Sequence, residues 1–138
     1  MHHIFRIIAI ILLLLNAISA LFGGWGLMSD PSGETMDIPL RFLDHSPFEN
    51  FRVPGVILFI SNGLFSLLFA LMVLLKFMNY SWLVIFQGFI LVGWLIVQII
   101  MIRDFYGPLH VLYFSVGILL ICTGWILARQ DQAIYQSH

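Results

Sequence analysis

Residues 77–102 read FMNYSWLVIFQGFILVGWLIVQIIMI and contain no charged side chain. A helix that rises 1.5 Å per residue crosses a hydrocarbon core of roughly 30 Å in about 20 residues, so this stretch is long enough to span a membrane. Three more uncharged windows of spanning length lie at residues 7–29, 53–75 and 105–128. All four are apolar on every face, whereas a spanning β-strand alternates in polarity, and this pattern excludes a strand barrel.

We therefore expect an all-α membrane protein, a four-helix transmembrane bundle that forms a single domain over residues 1–138. The helices are placed at about 4–27, 54–77, 82–102 and 108–128, with a long first loop at 28–53. Pro54 and Pro108 support two of these starts, because the first turn of a helix has no partner for the N–H that proline lacks.

Composition leads to the same class of protein. The chain has 61% hydrophobic residues, 9% charged residues and a mean hydropathy of +1.01. Six basic and seven acidic side chains are too few to coat a soluble globule of this size. The formal net charge of -1 argues against a nucleic-acid partner, which would require a basic surface.

The first apolar window has a second interpretation. Residues 1–20 resemble a signal peptide, with Ile18-Ser19-Ala20 as a permissible cleavage site. We favour an uncleaved helix, because the apolar stretch continues past Ala20 and reaches full spanning length.

Orientation follows weakly from charge. With the amino terminus inside, Arg6, Lys76 and Arg129 face the cytoplasm, and three other arginines, at positions 41, 52 and 103, face out. Because three basic residues lie on each side, the positive-inside rule indicates no orientation. The terminal amine and the acidic first loop favour both termini in the cytoplasm, in a bacterial cytoplasmic membrane.

The loop at 28–53 is too short to fold alone and too long for a plain connector. Its segment Asp30-Pro31-Ser32-Gly33 indicates a turn. Ser46-Pro47-Phe48-Glu49 has the spacing of a capping box, which predicts a short interfacial helix on the membrane surface. The loop is interpreted either as a lid over a cavity or as a packed surface loop.

Polar and small residues recur at helical spacing within the windows. An amide that faced lipid would be costly, so Asn16 and Asn62 are expected to face inward. The residues expected to mediate helix packing are Asn16, Ser19, Asn62, Ser66, Gly117 and Gly124. In the third helix, Gln87 and Gln98 share one face with Trp94 between them. Interhelical hydrogen bonding explains the asparagines, and substrate binding is the alternative.

A candidate ligand site is expected at the outer mouth of the bundle. His110 is the histidine that lies within the predicted spans, and an ionisable residue there warrants a functional hypothesis. The candidate ligand-binding residues are Gln98, His110, Tyr113, Trp94, Arg103, Asp104 and His45. The alternative is an interfacial histidine bonded to a neighbour, with Arg103 and Asp104 at helix ends.

Several chemistries lack support in the sequence. Cys122 is the single cysteine, so no intramolecular disulfide can form. No H-E-x-x-H, Walker, G-x-S-x-G or C-x-x-C motif occurs, and no catalytic residue is assigned. No ligand spacing is diagnostic of a metal, and no pattern identifies a cofactor.

Short motifs carry a resemblance over most of the chain. Ser46-Pro47-Phe48, Val53-Pro54-Gly55, Gly93-Trp94 with Gln98, and His110-Val111-Leu112-Tyr113 resemble those of small four-helix bacterial membrane proteins. More remotely, the layout is similar to the DoxX-like superfamily, some members of which are associated with quinone-linked oxidoreductases. The acidic residue expected early in the second helix of that group is absent, and Asn62 is the nearest polar residue.

The function expected from the sequence is that of a small multi-pass membrane protein without enzymatic activity. Its expected partners are the lipid bilayer and a hydrophobic small molecule, a lipid or a partner membrane protein, with a homo-oligomer as a further option. A DoxX-like subunit of a quinone-dependent oxidoreductase is the alternative, and a purely structural assembly role is a third hypothesis.

Overall fold

The computed structural model describes residues 2–32, 50–77, 79–102 and 107–136. Its elements are α1 (His2–Ser29), α2 (Arg52–Leu58), a π-helical segment (Phe59–Leu64), α3 (Phe65–Leu74), α4 (Tyr80–Ile102) and α5 (Gly107–Gln136). Elements α2, the π segment and α3 follow one another without a break and form the second span. Together with α1, α4 and α5 it gives four helices long and apolar enough to cross a membrane. The described residues contain no strand, and the predicted all-α four-helix architecture is confirmed.

The second span begins and ends slightly earlier than predicted. It starts at Arg52, so Pro54 lies in the first turn, where its missing N–H leaves no acceptor unpaired. It ends at Leu74 because Lys76 adopts a left-handed φ of 57°. The N–H of Phe77 donates to Met72 O at 2.9 Å and that of Lys76 to Val73 O at 3.1 Å. This bond pair is a Schellman motif, which stops the helix with lysine where glycine is usual.

Helix α5 runs well past the predicted end at residue 128. It continues to Gln136 through a polar tail, which contains neither glycine nor proline and is rich in helix-forming residues. The tail therefore extends the fourth span beyond the apolar window.

The ends of the first loop lie together. The N–H of Phe51 donates to Pro31 O at 2.9 Å, and the Asn50 side chain accepts from the N–H of Arg52 at 3.0 Å. The capping-box residues 46–49 and the predicted surface helix lie outside the described residues.

Glycines bring the helices together in two antiparallel hairpins. In the first hairpin, which consists of α1 and the second span, a Cβ on Gly24 would lie 2.8 Å from Gly55 O. In the second hairpin, which consists of α4 and α5, a Cβ on Gly88 would lie 2.8 Å from Gly117 O. Such distances are below van der Waals contact, so the helix backbones can approach this closely only where a side chain is missing.

The two hairpins share a core on the side away from the first loop. Helix α1 packs against α5, and α4 packs against the π segment and α3. The shared core includes Ala9 and Leu13 of α1, Val73 of α3 and Val84 of α4. This arrangement places α1, the second span, α4 and α5 in order around the bundle.

The outer surface of the bundle is apolar. Large hydrophobic side chains are exposed along all four spans, with Ile18 of α1 66% exposed, Leu71 of α3 50%, Phe89 of α4 60% and Ile118 of α5 54%. A soluble protein does not expose this much contiguous apolar surface. The amides of Asn16, Asn62 and Gln87 are buried instead, as expected when the surrounding solvent is lipid.

Candidate functional site

Three buried amides from three different spans meet inside the bundle. Asn16 of α1, Asn62 of the π segment and Gln87 of α4 are all at most 1% exposed. Asn16 Nδ2 donates to Asn62 Oδ1 at 3.5 Å, and Gln87 Nε2 donates to the same oxygen at 3.3 Å. Asn62 is thus the centre of a buried amide cluster that links both hairpins.

The π segment supplies a further acceptor to this cluster. In a regular α-helix the N–H of Phe65 would bond to Ser61 O, but here it bonds to Ile60 O. The carbonyl of Ser61 is thereby released from the helical ladder, and Gln87 Nε2 donates to it at 3.2 Å. The free carbonyl of the irregular backbone and the amide of the buried glutamine therefore form a hydrogen bond between the two hairpins.

The hydrogen bonds fix the orientation of the Gln87 amide. Its Nε2 faces two acceptors, Asn62 Oδ1 and Ser61 O, so exchanging the amide nitrogen and oxygen would place oxygen against oxygen. Gln87 Oε1 consequently points elsewhere, and it is buried without a hydrogen-bond partner among the described residues. An unpaired buried carbonyl oxygen is costly unless a donor reaches it.

Serines complete the polar contacts within the first hairpin. Ser66 is buried and donates to Leu13 O at 2.6 Å, which ties α3 to α1. Ser19 bonds within its own helix, to Leu15 O at 2.8 Å, and is half-buried. Among the residues expected to mediate packing, Ser66 therefore bonds across helices, whereas the bond of Ser19 does not.

Gly117 and Gly124 lie in the interface between α4 and α5. A Cβ on Gly117 would approach Val92 Cγ2 to 2.6 Å, and one on Gly124 would approach Ser81 O to 2.8 Å. Their role is close backbone packing of the second hairpin.

Trp94 and Gln98 continue the face of α4 that carries Gln87. Trp94 follows Gln87 by seven residues and Gln98 follows by eleven, which are about two and three helical turns. Both residues are half-buried. The indole Nε1 of Trp94 is nevertheless buried, and it too has no hydrogen-bond partner within the part of the chain that the structure describes. This single face of α4 therefore holds an unpaired acceptor and an unpaired donor.

Contacts between the two hairpins become fewer beside this face. Helix α2 packs on α1, whereas α4 packs on the π segment and α3. Ala20, Leu27 and Phe51 are buried, yet they do not belong to the core cluster that contains Leu91 and Leu95 of α4. Helix α2 makes no comparable contact with α4 among the described residues, and we call the region between α2 and the α4 face that carries Trp94 and Gln98 the inter-hairpin cleft. Its inner end is the buried amide cluster.

The remaining predicted ligand-site residues divide into two groups. His110 is buried, at 4% exposure, and is not without an interaction partner, while Tyr113 is half-buried and packs against the core. The antiparallel register that pairs Gly88 with Gly117 puts Gln98 near the level of His110 and Trp94 near that of Tyr113. His45, Arg103 and Asp104 lie outside the described residues, so their part in an outer mouth stays a prediction.

Sequence reasoning left Gln87 out of the candidate ligand site. Its position on the same helix face as Trp94 and Gln98 could have indicated it. The prediction was instead based on the charged residues near the outer mouth. The π-helical backbone could not be predicted, because the sequence FISNGL is compatible with an ordinary α-helix.

The described residues provide few groups for ionic or metal chemistry. No group of three or more His, Cys, Asp or Glu side chains that could hold a metal is found there. Cys122 is exposed on the outer surface of α5. What the site offers is therefore neutral hydrogen bonding in an apolar setting. No protein-family model, curated protein or solved structure matches this chain.

Proposed function

We propose that this small multi-pass membrane protein is a non-enzymatic module that binds a hydrophobic small molecule or lipid in the inter-hairpin cleft. One observation carries the proposal. Gln87 Oε1 is buried at the inner end of the cleft and has no donor among the described residues. A hydroxyl or N–H group of a bound molecule would supply it.

Hydrogen bonding decides binding in this setting. A lipid-soluble molecule gains little from apolar burial, because the acyl chains it leaves are as apolar as the cleft. A hydrogen bond to Gln87 Oε1 adds a favourable interaction that acyl chains cannot provide, since the hydrocarbon core contains few competing hydrogen-bond partners. Selectivity among bilayer components would therefore follow their polar groups.

The rigidity of the Gln87 amide supports this role. Its Nε2 is fixed by two acceptors on the second span, at 3.2 and 3.3 Å. The oxygen is thereby held in one direction before any ligand arrives, so little rotamer freedom is lost on binding. Chemistry on the ligand is not part of the proposal, because the cluster contains neither a charged group nor a nucleophile paired with a base.

Native mass spectrometry on protein extracted gently from its membrane tests the proposal. We expect a defined small-molecule adduct on the unaltered protein and its loss in Gln87→Leu. Ser115→Ala is the matched control, because the Ser115 hydroxyl bonds to Val111 O on the exposed face of its own helix. That variant is expected to keep the adduct.

An unaltered protein with a clean apo mass would contradict the proposal and favour the structural assembly role. An adduct that survives Gln87→Leu unchanged would place the ligand elsewhere. A quinone or haem absorbance in the purified protein would favour the alternative of a subunit associated with a quinone-dependent oxidoreductase.

A further inference from the structure

We infer that the end of the bundle where α1 begins and α5 ends binds the phosphate headgroups of anionic phospholipids through Arg6, Lys76 and Arg129. We call this region the basic end, and it comprises residues 2–9, 73–82 and 125–136. The surface is separate from the inter-hairpin cleft, so the inference does not depend on the proposed function.

Packing of the spans brings the three basic residues to one level of the bundle. Each of them lies two or three positions along the chain from a fully buried residue, and these buried residues belong to a single core cluster. They are Ala9, Val73 and Leu127. Helix α1 contacts both α3 and α5, so Arg6 comes between Lys76 and Arg129 around the basic end. The three positive charges therefore share one face of the membrane.

The basic end carries an excess of positive charge. It contains three basic residues and one acidic residue, Asp131. The segments that join the spans at the opposite end, residues 28–53 and 103–107, also contain three basic residues, but six acidic residues outnumber them. Asp30 is the one acidic group whose side chain the structure describes, and it belongs to that opposite end. The basic end therefore attracts an anion, whereas acidic neighbours oppose such attraction at the other end.

The charge of Arg129 is held at the depth of the lipid headgroups. Its Cζ lies 5.4 Å from the centroid of the Trp125 ring, in a cation–π contact. Trp125 is 53% exposed on the outer surface, and Trp82, near the start of α4, is equally exposed. Exposed tryptophans near the ends of spans lie at the boundary between acyl chains and headgroups. A guanidinium beside such a ring reaches phosphate oxygens, which it can bind through paired N–H donors.

Arg6 lies on the inward face of α1. Ala9 and Leu13, three and seven positions further along the helix, are both 0% exposed and mark this face. Arg6 itself is half-buried, and its Nε is buried without a hydrogen-bond partner among the described residues. Water and salt screen a half-buried charge less than an exposed one, so Arg6 attracts an anion at the basic end more strongly than a fully exposed arginine would.

A phospholipid is the anion that this position favours. The basic residues lie at the ends of membrane spans, beside apolar side chains such as Leu75 and Phe77, which are 64% and 56% exposed. An anionic phospholipid places its acyl chains against this apolar surface and its phosphate beside the basic residues in one binding event. A free phosphate ion gains only the second of these contacts.

Two phospholipids with the same acyl chains test the inference. Dioleoylphosphatidylglycerol has a net negative charge, whereas dioleoylphosphatidylcholine is neutral overall. The protein is titrated with each lipid in a neutral detergent, and bound lipid is counted by native mass spectrometry. We expect the unaltered protein to bind the anionic lipid at least about tenfold more tightly, because each basic residue near an anionic headgroup contributes about a fivefold preference. Raising ammonium acetate from ~0.1 M to ~1 M should reduce the preference, because the Debye length falls from about 10 Å to about 3 Å.

Substitutions assign the preference to the basic end. Arg6→Gln, Lys76→Asn and Arg129→Gln are each expected to reduce it about fivefold. Asparagine is used at position 76 because it tolerates the left-handed φ of 57° found there. Arg52→Gln is the matched control, since it removes one exposed arginine from the opposite end and should leave the preference unchanged. Asp131→Asn removes the acidic residue of the basic end and should increase the preference.

Equal affinity of the unaltered protein for the two lipids overturns the inference, and so does an equal loss of preference in Arg52→Gln and Arg129→Gln. Inorganic phosphate in excess distinguishes a lipid from a soluble anion. We expect it neither to form an adduct nor to displace phosphatidylglycerol, and phosphate that does both would overturn the assignment to a lipid. The comparison of two lipids on the unaltered protein needs no variant, so misfolding of a variant cannot obscure it. The native adduct of the inter-hairpin cleft is judged separately, by its loss in Gln87→Leu.

Discussion

At the scale of single residues, Gly88 and Gly93 form a matched pair on α4. A Cβ at Gly88 would lie 2.8 Å from Gly117 O and 2.7 Å from Ile121 Cγ1, so an added methyl group must push α4 and α5 apart. A Cβ at Gly93 would meet nothing within 4 Å among the described atoms. We expect Gly88→Ala to lower the free energy of unfolding by about 2 kcal/mol. Gly93→Ala should change it by less than about 1 kcal/mol, towards greater stability, because alanine favours the helix.

The measurement is reversible unfolding in mixed micelles, followed by circular dichroism. Both variants add one methyl group to the same helix, so a general effect of alanine in the membrane would appear in both. Equal stability of the two proteins would show that α4 and α5 are not in the close contact described here.

Burial of the asparagines could be predicted from sequence, whereas their partners could not. Asn16 and Asn62 lie within apolar windows, and lipid offers an amide nothing to bond, so an inward position follows from the solvent alone. That Asn62 receives bonds from both Asn16 and Gln87 depends on how α4 is rotated about its axis. Helical periodicity gives the face of each helix but not which faces meet. The sequence prediction therefore left Gln87 out of the candidate site.

At the scale of elements, the π segment is the main departure from a regular helix. One additional residue in a turn shifts the hydrogen-bond ladder from i−4 to i−5 and leaves a carbonyl free. Here the free carbonyl is that of Ser61, and the donor that compensates for it comes from the facing hairpin. The π segment thus costs little as long as Gln87 is present.

A single-residue deletion tests this reading of the second span. Removing Leu64, which lies within the π segment and is 44% exposed, should restore a regular α-helix and keep the register on both sides. Removing Leu67, which is equally exposed but lies in the regular helix α3, should rotate one part of the span against the other by about 100°. We expect the first variant to be purified folded and the second to aggregate, as judged by size-exclusion chromatography in detergent.

The deletion of Leu64 should also carry a functional penalty. With the ladder restored, the Ser61 carbonyl bonds within its own helix, and Gln87 Nε2 loses one of its two acceptors. The amide is then less firmly held, and the native adduct should weaken although the protein is folded. Two deletions with the same outcome would contradict the π-helical assignment.

The ends of the elements show why boundaries were only partly predictable. A run of apolar residues indicates where a helix can span, but Lys76 stops the second span by adopting a conformation that is usual for glycine. The short turn that leads to α4 requires the helix to stop here, and no residue type near position 76 indicates the stop. The polar tail of α5 is the opposite case. The apolar run ends at residue 128, whereas residues that favour a helix continue beyond it.

At the scale of the whole molecule, each hairpin has its own interface of glycines, and the hydrogen bonds of Gln87 join the two hairpins. This division fits a membrane protein in which independently stable helices associate through close packing and a few hydrogen bonds. The hairpins share a core, whereas α2 makes no comparable contact with α4, so the buried amide cluster lies at the border between these two regions. A ligand site at that position uses the weakest part of the interface without disturbing either hairpin.

Orientation decides which side of the membrane the cleft faces, and labelling of single cysteines tests it. With both termini in the cytoplasm, Ser32 lies outside and Phe77 inside, because they are at opposite ends of the bundle. In a chain with Cys122→Ala, we expect Ser32→Cys to react with a membrane-impermeant maleimide in intact cells and Phe77→Cys to react only after lysis. Phe77 is a fair control because it is 56% exposed and therefore accessible once the membrane is open. The reverse pattern would place the first loop in the cytoplasm and turn the cleft towards that side. It would leave the hydrogen bonds of the buried amide cluster unchanged, because none of them involves a charged group.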